Sequence, residues 1–221
     1  LGHRDAKLLA GGDLFDDGHV CKGALDHPLL DGKVADDRLA LVAHHGGEGG
    51  GPIVVERFMP AEYAGDSATF ERTYREFCVY YAQHKEDHTH VYPGIGEMLE
   101  HIKQTGVRTA VLTNKDHDAA LPLAEKYFGA EAFDLVQGRI DAFPPKPEAP
   151  ITLHVMEQLG ACAQETLYVG DSNVDVQTGH NADIKVAGVT WGFRGREELE
   201  QAGADYVVDS TEELGNLILN L

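Results

Sequence analysis

From about residue 91 onward, short apolar runs alternate with helix-like stretches, and glycine closes several of the helices. Pro93 suits the first turn of a helix running to about Thr105, with Gly106 as its terminator. A β-type run follows at 108–112, then a helix at 119–128 ended by Gly129 and a strand at 133–136. The same rhythm predicts a helix at 150–159 ended by Gly160, a strand at 166–169 and a helix at 173–182. A strand at 185–190, a helix near 197–202, a strand at 206–208 and a helix from Thr211 complete it. Residues 7–13 read as one more strand. Strands separated by helices cannot pair as hairpins. They require crossovers, hence a parallel sheet covered on both faces: a doubly wound α/β fold.

The stretch between residue 13 and Val91 breaks this rhythm. Residues 67–85 form a strong helical candidate, with Phe70, Tyr74, Phe77 and Tyr81 at helical spacing, the pattern of a core-facing stripe. Residues 36–45 and 53–58 suggest further helices, and Gly46, Gly47, Gly49, Gly50 and Gly51 make a loop. That loop lacks a following Lys-Ser/Thr, so it is no nucleotide-binding P-loop. The expected organisation is an α/β core from 1–17 and 89–221 with an inserted, all-helical cap at 18–88.

Four groups of reactive residues fall at the ends of predicted strands. They are Asp13; Thr113 with Asn114 and Lys115; Lys146 between prolines; and Asp171 with Asp175. In open α/β sheets the carboxyl ends of the strands are where ligands bind. Residues 167–175 are the most telling, an apolar strand running into Gly170 and Asp171, with Asp175 at the start of a helix. Two oxygen-donor side chains aimed at one point suit Mg2+. A carboxylate can attack phosphorus, and a Thr hydroxyl and a Lys ammonium can hold the oxygens over which charge spreads. Each residue alone has a plainer reading: Asp171 and Asp175 as helix-capping carboxylates, Lys146 and Lys115 as surface lysines. His84, His88 and His90 read as solvated or structural histidines rather than a metal cluster, and His44 and His45 flank the glycine run. Arg57, Arg72 and Arg75 are cations available to a substrate carboxylate.

The order of these elements resembles the haloacid dehalogenase (HAD) superfamily, in particular phosphoglycolate phosphatase-like members with a helical cap. Thr113-Asn114-Lys115 resembles the family's second motif, Lys146-Pro147 the third, and Gly170-Asp171-Ser172-Asn173-Val174-Asp175 the fourth. Val189-Thr190-Trp191-Gly192-Phe193-Arg194 resembles the segment after it. The resemblance implies a Rossmann-like core and a Mg2+-dependent phosphomonoester hydrolase acting through an aspartyl-phosphate. It makes Asp171 a metal ligand, Asp175 a ligand or outer-shell partner, Thr113 and Asn114 phosphate contacts, and Lys146 a partner of phosphate and nucleophile. The first motif departs from the family's Asp-x-Asp-Gly-Thr, reading Asp13-Leu14-Phe15-Asp16-Asp17-Gly18-His19. Aligned without gaps, Asp13 is the nucleophile and a metal ligand. Phe15, which lends the metal only a backbone carbonyl, then replaces the general acid/base. With a one-residue gap, Asp16 becomes the nucleophile and Asp17 the acid/base.

The implied partner is a small phosphorylated metabolite, with phosphoglycolate leading. Two rivals follow from Phe15: a catalytically impaired protein that binds phosphate or a partner, and a metal-independent 2-haloacid dehalogenase. A phosphosugar mutase ranks below both, since it needs the replaced acid/base. The net charge of −19, from 37 acidic and 18 basic residues, argues against nucleic acid and anionic membranes. No apolar run approaches the roughly 20 residues of a membrane span. No signal-peptide pattern opens the chain, and Cys21, Cys78 and Cys162 are too few and too scattered for a disulfide framework. A cytoplasmic monomer or homodimer is expected.

Overall fold

The computed structural model describes residues 7–11, 55–56, 59–84 and 90–221. The chain divides into two compact units, Leu1–Leu14 with Val91–Leu221, and Phe15–His90. In the first unit the elements in chain order are β1 (Lys7–Gly11), α2 (Ile95–Gln104), β2 (Arg108–Asp116), α3 (His117–Phe128), β3 (Leu135–Arg139) and α4 (Ala149–Gln158). They continue as β4 (Thr166–Gly170), α5 (Asn173–Asn181), β5 (Lys185–Val189), α6 (Arg196–Ala202), β6 (Tyr206–Val208) and α7 (Thr211–Asn220). The second unit contributes α1 (Ser67–His84).

The six strands among the described residues form one sheet in the order β3-β2-β1-β4-β5-β6, and every neighbouring pair is parallel. The doubly wound α/β core expected from the alternation is therefore present. The strand order reverses at β1, where β2 lies on one side and β4 on the other. Gly11 pairs with Leu112 and Ala10 with Val169, so the carboxyl ends of β1 and β4 are level at that switch point, and β2 runs past them to Asp116.

Alternation within the strands explains the two cores. Tyr168 and Val186 point to one face, joining Leu112, Ile151, Val155, Val176 and Leu199. Leu167, Val169, Ala187 and Val189 point to the other, against Ile102, Leu214 and Ile218. Thus α4, α5 and α6 cover one face, and α2 and α7 the opposite one. Every residue of β4 is buried, as a central strand covered on both faces requires. The glycines that punctuate the sequence serve as helix stops. Gly106, Gly129 and Gly160 take φ of +83°, +90° and +55°, values that side chains with a Cβ disfavour.

Some boundaries differ from expectation. The strand predicted at 108–112 continues to Asp116, because a register shift in its pairing with β3 brings Asp116 opposite Arg139. Thr113, Asn114 and Lys115 thus lie within a strand rather than after it. β3 starts two residues later than predicted, and α2 begins at Ile95 rather than at Pro93.

The last helix shows how local chemistry sets an end. Ser210 Oγ accepts the Glu213 N–H at 3.1 Å, and Glu213 Oε2 accepts the Asp209 N–H at 2.8 Å, a reciprocal cap. Ser210→Ala is expected to lower stability by about 1 kcal/mol in urea unfolding, with the denaturant slope unchanged.

The described part of the second unit is helical. Val55 and Glu56 are in a helix, Ala61–Tyr63 is a 3-10 turn, and α1 follows. Asp66 caps α1, with Oδ1 accepting the N–H groups of Ala68 and Thr69 at 3.1 and 3.2 Å. Its Oδ2 accepts the Thr69 hydroxyl at 2.6 Å, the largest of the causes that hold this carboxyl below its usual range. Phe70 and Tyr74 stack with centroids 6.0 Å apart and, with Phe77, are half-buried, as a packing stripe would be. Arg72 and Arg75 lie on the exposed side of this helix. The helix predicted at 36–45, the glycine run, Cys21, His44, His45, Arg57 and His88 lie outside the described residues, as do the side chains of Tyr81 and His84. Cys78, Cys162 and His90 are exposed. Among the described residues no helix is long and apolar enough to cross a membrane.

Candidate active site

The far part of β2, the end of β4 and the loop before α4 bring together Asn114, Lys146, Asp171 and Asp175, with Thr113 next to Asn114 in β2. The centre of the arrangement is a buried ion pair. Lys146 Nζ donates to Asp175 Oδ1 at 2.9 Å, with only 6% and 2% of the two side chains exposed. A pair so removed from water persists only with further hydrogen bonds. Asp175 has them. The Tyr168 hydroxyl makes a long 3.4 Å contact to Oδ1, while the Ser172 hydroxyl and the Asp171 N–H donate to Oδ2 at 2.7 and 3.2 Å. Burial pushes Asp175 toward its neutral form. The charge and hydrogen bond of Lys146, with those of Ser172 and the Asp171 N–H, outweigh it and hold the carboxyl below its usual range. Burial pushes the Tyr168 phenol far up, so it stays protonated and able to donate.

Local sequence explains how these groups meet. Ser172 is the N-cap of α5, its Oγ accepting the Asp175 N–H at 3.3 Å, so serine and aspartate cap one another. Gly170 makes the approach possible, since a Cβ there would overlap the Asp175 side chain. On the other side, Asn114 grips the lysine loop. Its Nδ2 donates to the Lys146 carbonyl at 3.2 Å and its Oδ1 accepts the Lys146 N–H at 2.9 Å. The Asn114 carboxamide therefore positions Lys146. Thr113 is buried, and its Oγ1 accepts the Lys115 N–H at 3.2 Å. Asp171 is buried at the end of β4, where its Oδ2 accepts the Phe193 N–H at 2.9 Å.

Sequence reasoning singled out Thr113, Lys146, Asp171 and Asp175; hydrogen bonds join Lys146, Asp175 and the Asp171 N–H directly, and Thr113 precedes Asn114, which holds the Lys146 loop. It missed Tyr168, which sits in an apolar strand with no signal of its own, and the Phe193 N–H, which carries no side-chain signature. Ser172 was readable, because Ser followed three residues on by an acid is a helix-start pattern. Asp13, Phe15, Asp16 and Asp17 lie outside the described residues. By sequence Asp13 is two residues past the end of β1, the strand between β2 and β4.

The donor chemistry fits a hard divalent cation. The described groups at this point are carboxylates, with no sulfur or imidazole among them. A carboxylate offers about four lone-pair directions, and those of Asp175 already meet four protein donors. Asp171 is therefore the described residue suited to hold a cation directly, with Asp175 behind it. Among the described residues no three His, Cys, Asp or Glu side chains converge as a complete metal site.

Fold and site together define a doubly wound parallel α/β protein with a carboxylate–ammonium centre at the topological switch point. Residues 57–189 match the haloacid dehalogenase-like hydrolase family, and the chain belongs to that family. It is 33% identical over 180 residues to a phosphoglycolate phosphatase of Chromobacterium violaceum, covering 81% of this chain and 80% of the relative. It is 33% identical over 173 residues to another from Pectobacterium atrosepticum, covering 76% and 73%. A crystal structure of a predicted phosphoglycolate phosphatase from Haemophilus somnus shares the fold, with a TM-score of 0.82 and 23% identity over 98% and 99% of the two chains.

Proposed function

We propose that this chain is a Mg2+-dependent phosphomonoester hydrolase working through an aspartyl-phosphate, with phosphoglycolate the leading substrate. The observation that carries the reading is the buried Lys146–Asp175 pair at the switch point, clamped by Asn114 beside Thr113. A buried ammonium at the carboxyl end of a parallel sheet suits a phosphoryl group. The substrate choice rests on the relatives' names alone.

In this reading an Asp13 carboxylate oxygen attacks phosphorus, the bond from phosphorus to the ester oxygen breaks, and the departing oxygen takes a proton from solvent, later balanced by the proton that the attacking water gives up. Water then attacks the phosphorus of the aspartyl-phosphate, releasing inorganic phosphate and restoring the carboxylate. Thr113 Oγ1, the Asn114 N–H and the Lys146 ammonium hold the phosphoryl oxygens throughout. Asp171, Asp13 and the Phe15 carbonyl would hold Mg2+, which when bound neutralises charge on those oxygens. Asp175 holds the Lys146 ammonium in place. The segment 18–88 would serve as a cap that selects the substrate.

Phe15 supports a second reading, an impaired enzyme. General acid/base help is worth on the order of 10²–10⁴ in rate, and a phenylalanine supplies none. If Asp16 attacks instead, Asp17 restores that help.

Hydrolysis of p-nitrophenyl phosphate and of phosphoglycolate, with and without Mg2+, tests the proposal. Asp13→Asn and Asp16→Asn identify the nucleophile, since only the attacking residue's variant should lose turnover entirely. No Mg2+-dependent hydrolysis above background by the wild type would sink the enzyme reading. Chloride release from a 2-haloacid without metal would favour a dehalogenase.

A further inference from the structure

The turn after β5 has no assigned part in the chemistry, yet it grips Asp171 twice. The Phe193 N–H donates to Asp171 Oδ2 at 2.9 Å, and the Arg194 N–H donates to the Asp171 carbonyl at 3.1 Å. Both ends of the turn are anchored. Before it, Thr190 donates its N–H to the Val208 carbonyl at 3.1 Å and its hydroxyl to Asp209 at 2.8 Å. After it, Arg194 Nε lies 3.3 Å from Glu198, in the first turns of α6, and its guanidinium sits 5.6 Å from the Phe193 ring centre. Between the anchors lies Gly192. A Cβ there would overlap the Cβ, Cγ and Oδ2 of Asp171. Rotation about the Asp171 side chain moves its oxygens but not its Cβ. The turn would have to withdraw, taking the Phe193 N–H with it.

We propose that the 192–194 turn sets the direction of the Asp171 carboxylate for the divalent cation, and that Gly192 is the positioning residue that allows the approach. The inference rests on Asp171 being a cation ligand. With Oδ2 tied to a backbone N–H, the direction of Oδ1 is set as well. Groups that orient metal ligands in this way typically change metal affinity or activity about 10–100-fold when removed.

The test is titration of Mg2+ into the metal-free full chain by calorimetry. Gly192→Ala is expected to weaken Mg2+ binding about 10–100-fold, while a folded circular-dichroism spectrum is retained. Excess Mg2+ should restore much of its lost turnover, which no general loosening of the fold would allow. Gly195→Ala is the control in the same loop, since a Cβ there meets nothing within 4 Å. It should bind as the wild type does. Phe193→Pro removes the N–H donor itself and should match Gly192→Ala. If Gly192→Ala fails to fold, Phe193→Pro decides. A folded Gly192→Ala or Phe193→Pro with wild-type Mg2+ affinity overturns the proposal. A wild type that hydrolyses phosphomonoesters but binds no Mg2+ overturns it while leaving the phosphatase reading intact.

Discussion

Lys146→Met is expected to reduce phosphatase kcat/KM about 10²–10³-fold, the usual cost of deleting one preorganised group that stabilises transition-state charge. It should also destabilise the fold, because the two roles share one atom. In the proposed mechanism Nζ is the charge that holds the phosphoryl group, and it is also the partner of Asp175 at 2.9 Å. Removing one member of a buried pair leaves the other's charge uncompensated, typically costing about 3–5 kcal/mol. Ser172 and the Asp171 N–H still donate to Asp175, so the loss should fall near the lower end. Adding Asp175→Asn to Lys146→Met removes the orphaned charge and should recover part of the stability, but none of the activity. Urea unfolding of the two single variants and the double gives the coupling directly. A Lys146→Met protein as stable as the wild type would show that the pair is not the buried, interdependent unit seen here.

Asp171→Asn should have the opposite signature. The amide keeps the shape and can still accept the Phe193 N–H, but it gives up the charge that attracts a cation. Mg2+-dependent turnover is expected to fall at least about 10²-fold, since the cation supplies several kcal/mol of charge stabilisation. The metal-free thermal midpoint should hold or rise, because two carboxylates four residues apart in one buried turn repel each other without a cation between them. A fall in that midpoint comparable to that of Lys146→Met would place Asp171 among the structural groups instead. The two variants together separate charge that holds the fold from charge that serves the chemistry.

The architecture was legible because each element announces itself over a few residues. Leu167, Tyr168 and Val169 are apolar because both faces of β4 are covered. Gly106, Gly129 and Gly160 stop helices because they take left-handed or otherwise positive φ at little cost. The far end of β2 was not legible, since Thr113 to Asp116 are polar and only pairing with β3 keeps them extended. The site shows the same division. The residue types at Thr113, Lys146, Asp171 and Asp175 were readable, but Thr113 was expected after its strand and lies inside it. The task of the Asn114 carboxamide was not, because its partner lies 32 residues away. Nor was the turn at Gly192, which matters through the Asp171 Cβ it approaches.

By itself the sequence determined the local conformations, the helix stops and caps, and which chemical groups stand at the ends of the strands. These depend on backbone preferences and apolar periodicity within a few residues. Only the tertiary structure decided that β1 separates β2 from β4, that Lys146 meets Asp175 across 29 residues, and that the turn after β5 reaches Asp171 across 22. Those outcomes follow from how crossover helices pack on the two faces of one sheet, where burial and the satisfaction of every buried charge are settled for the whole domain at once.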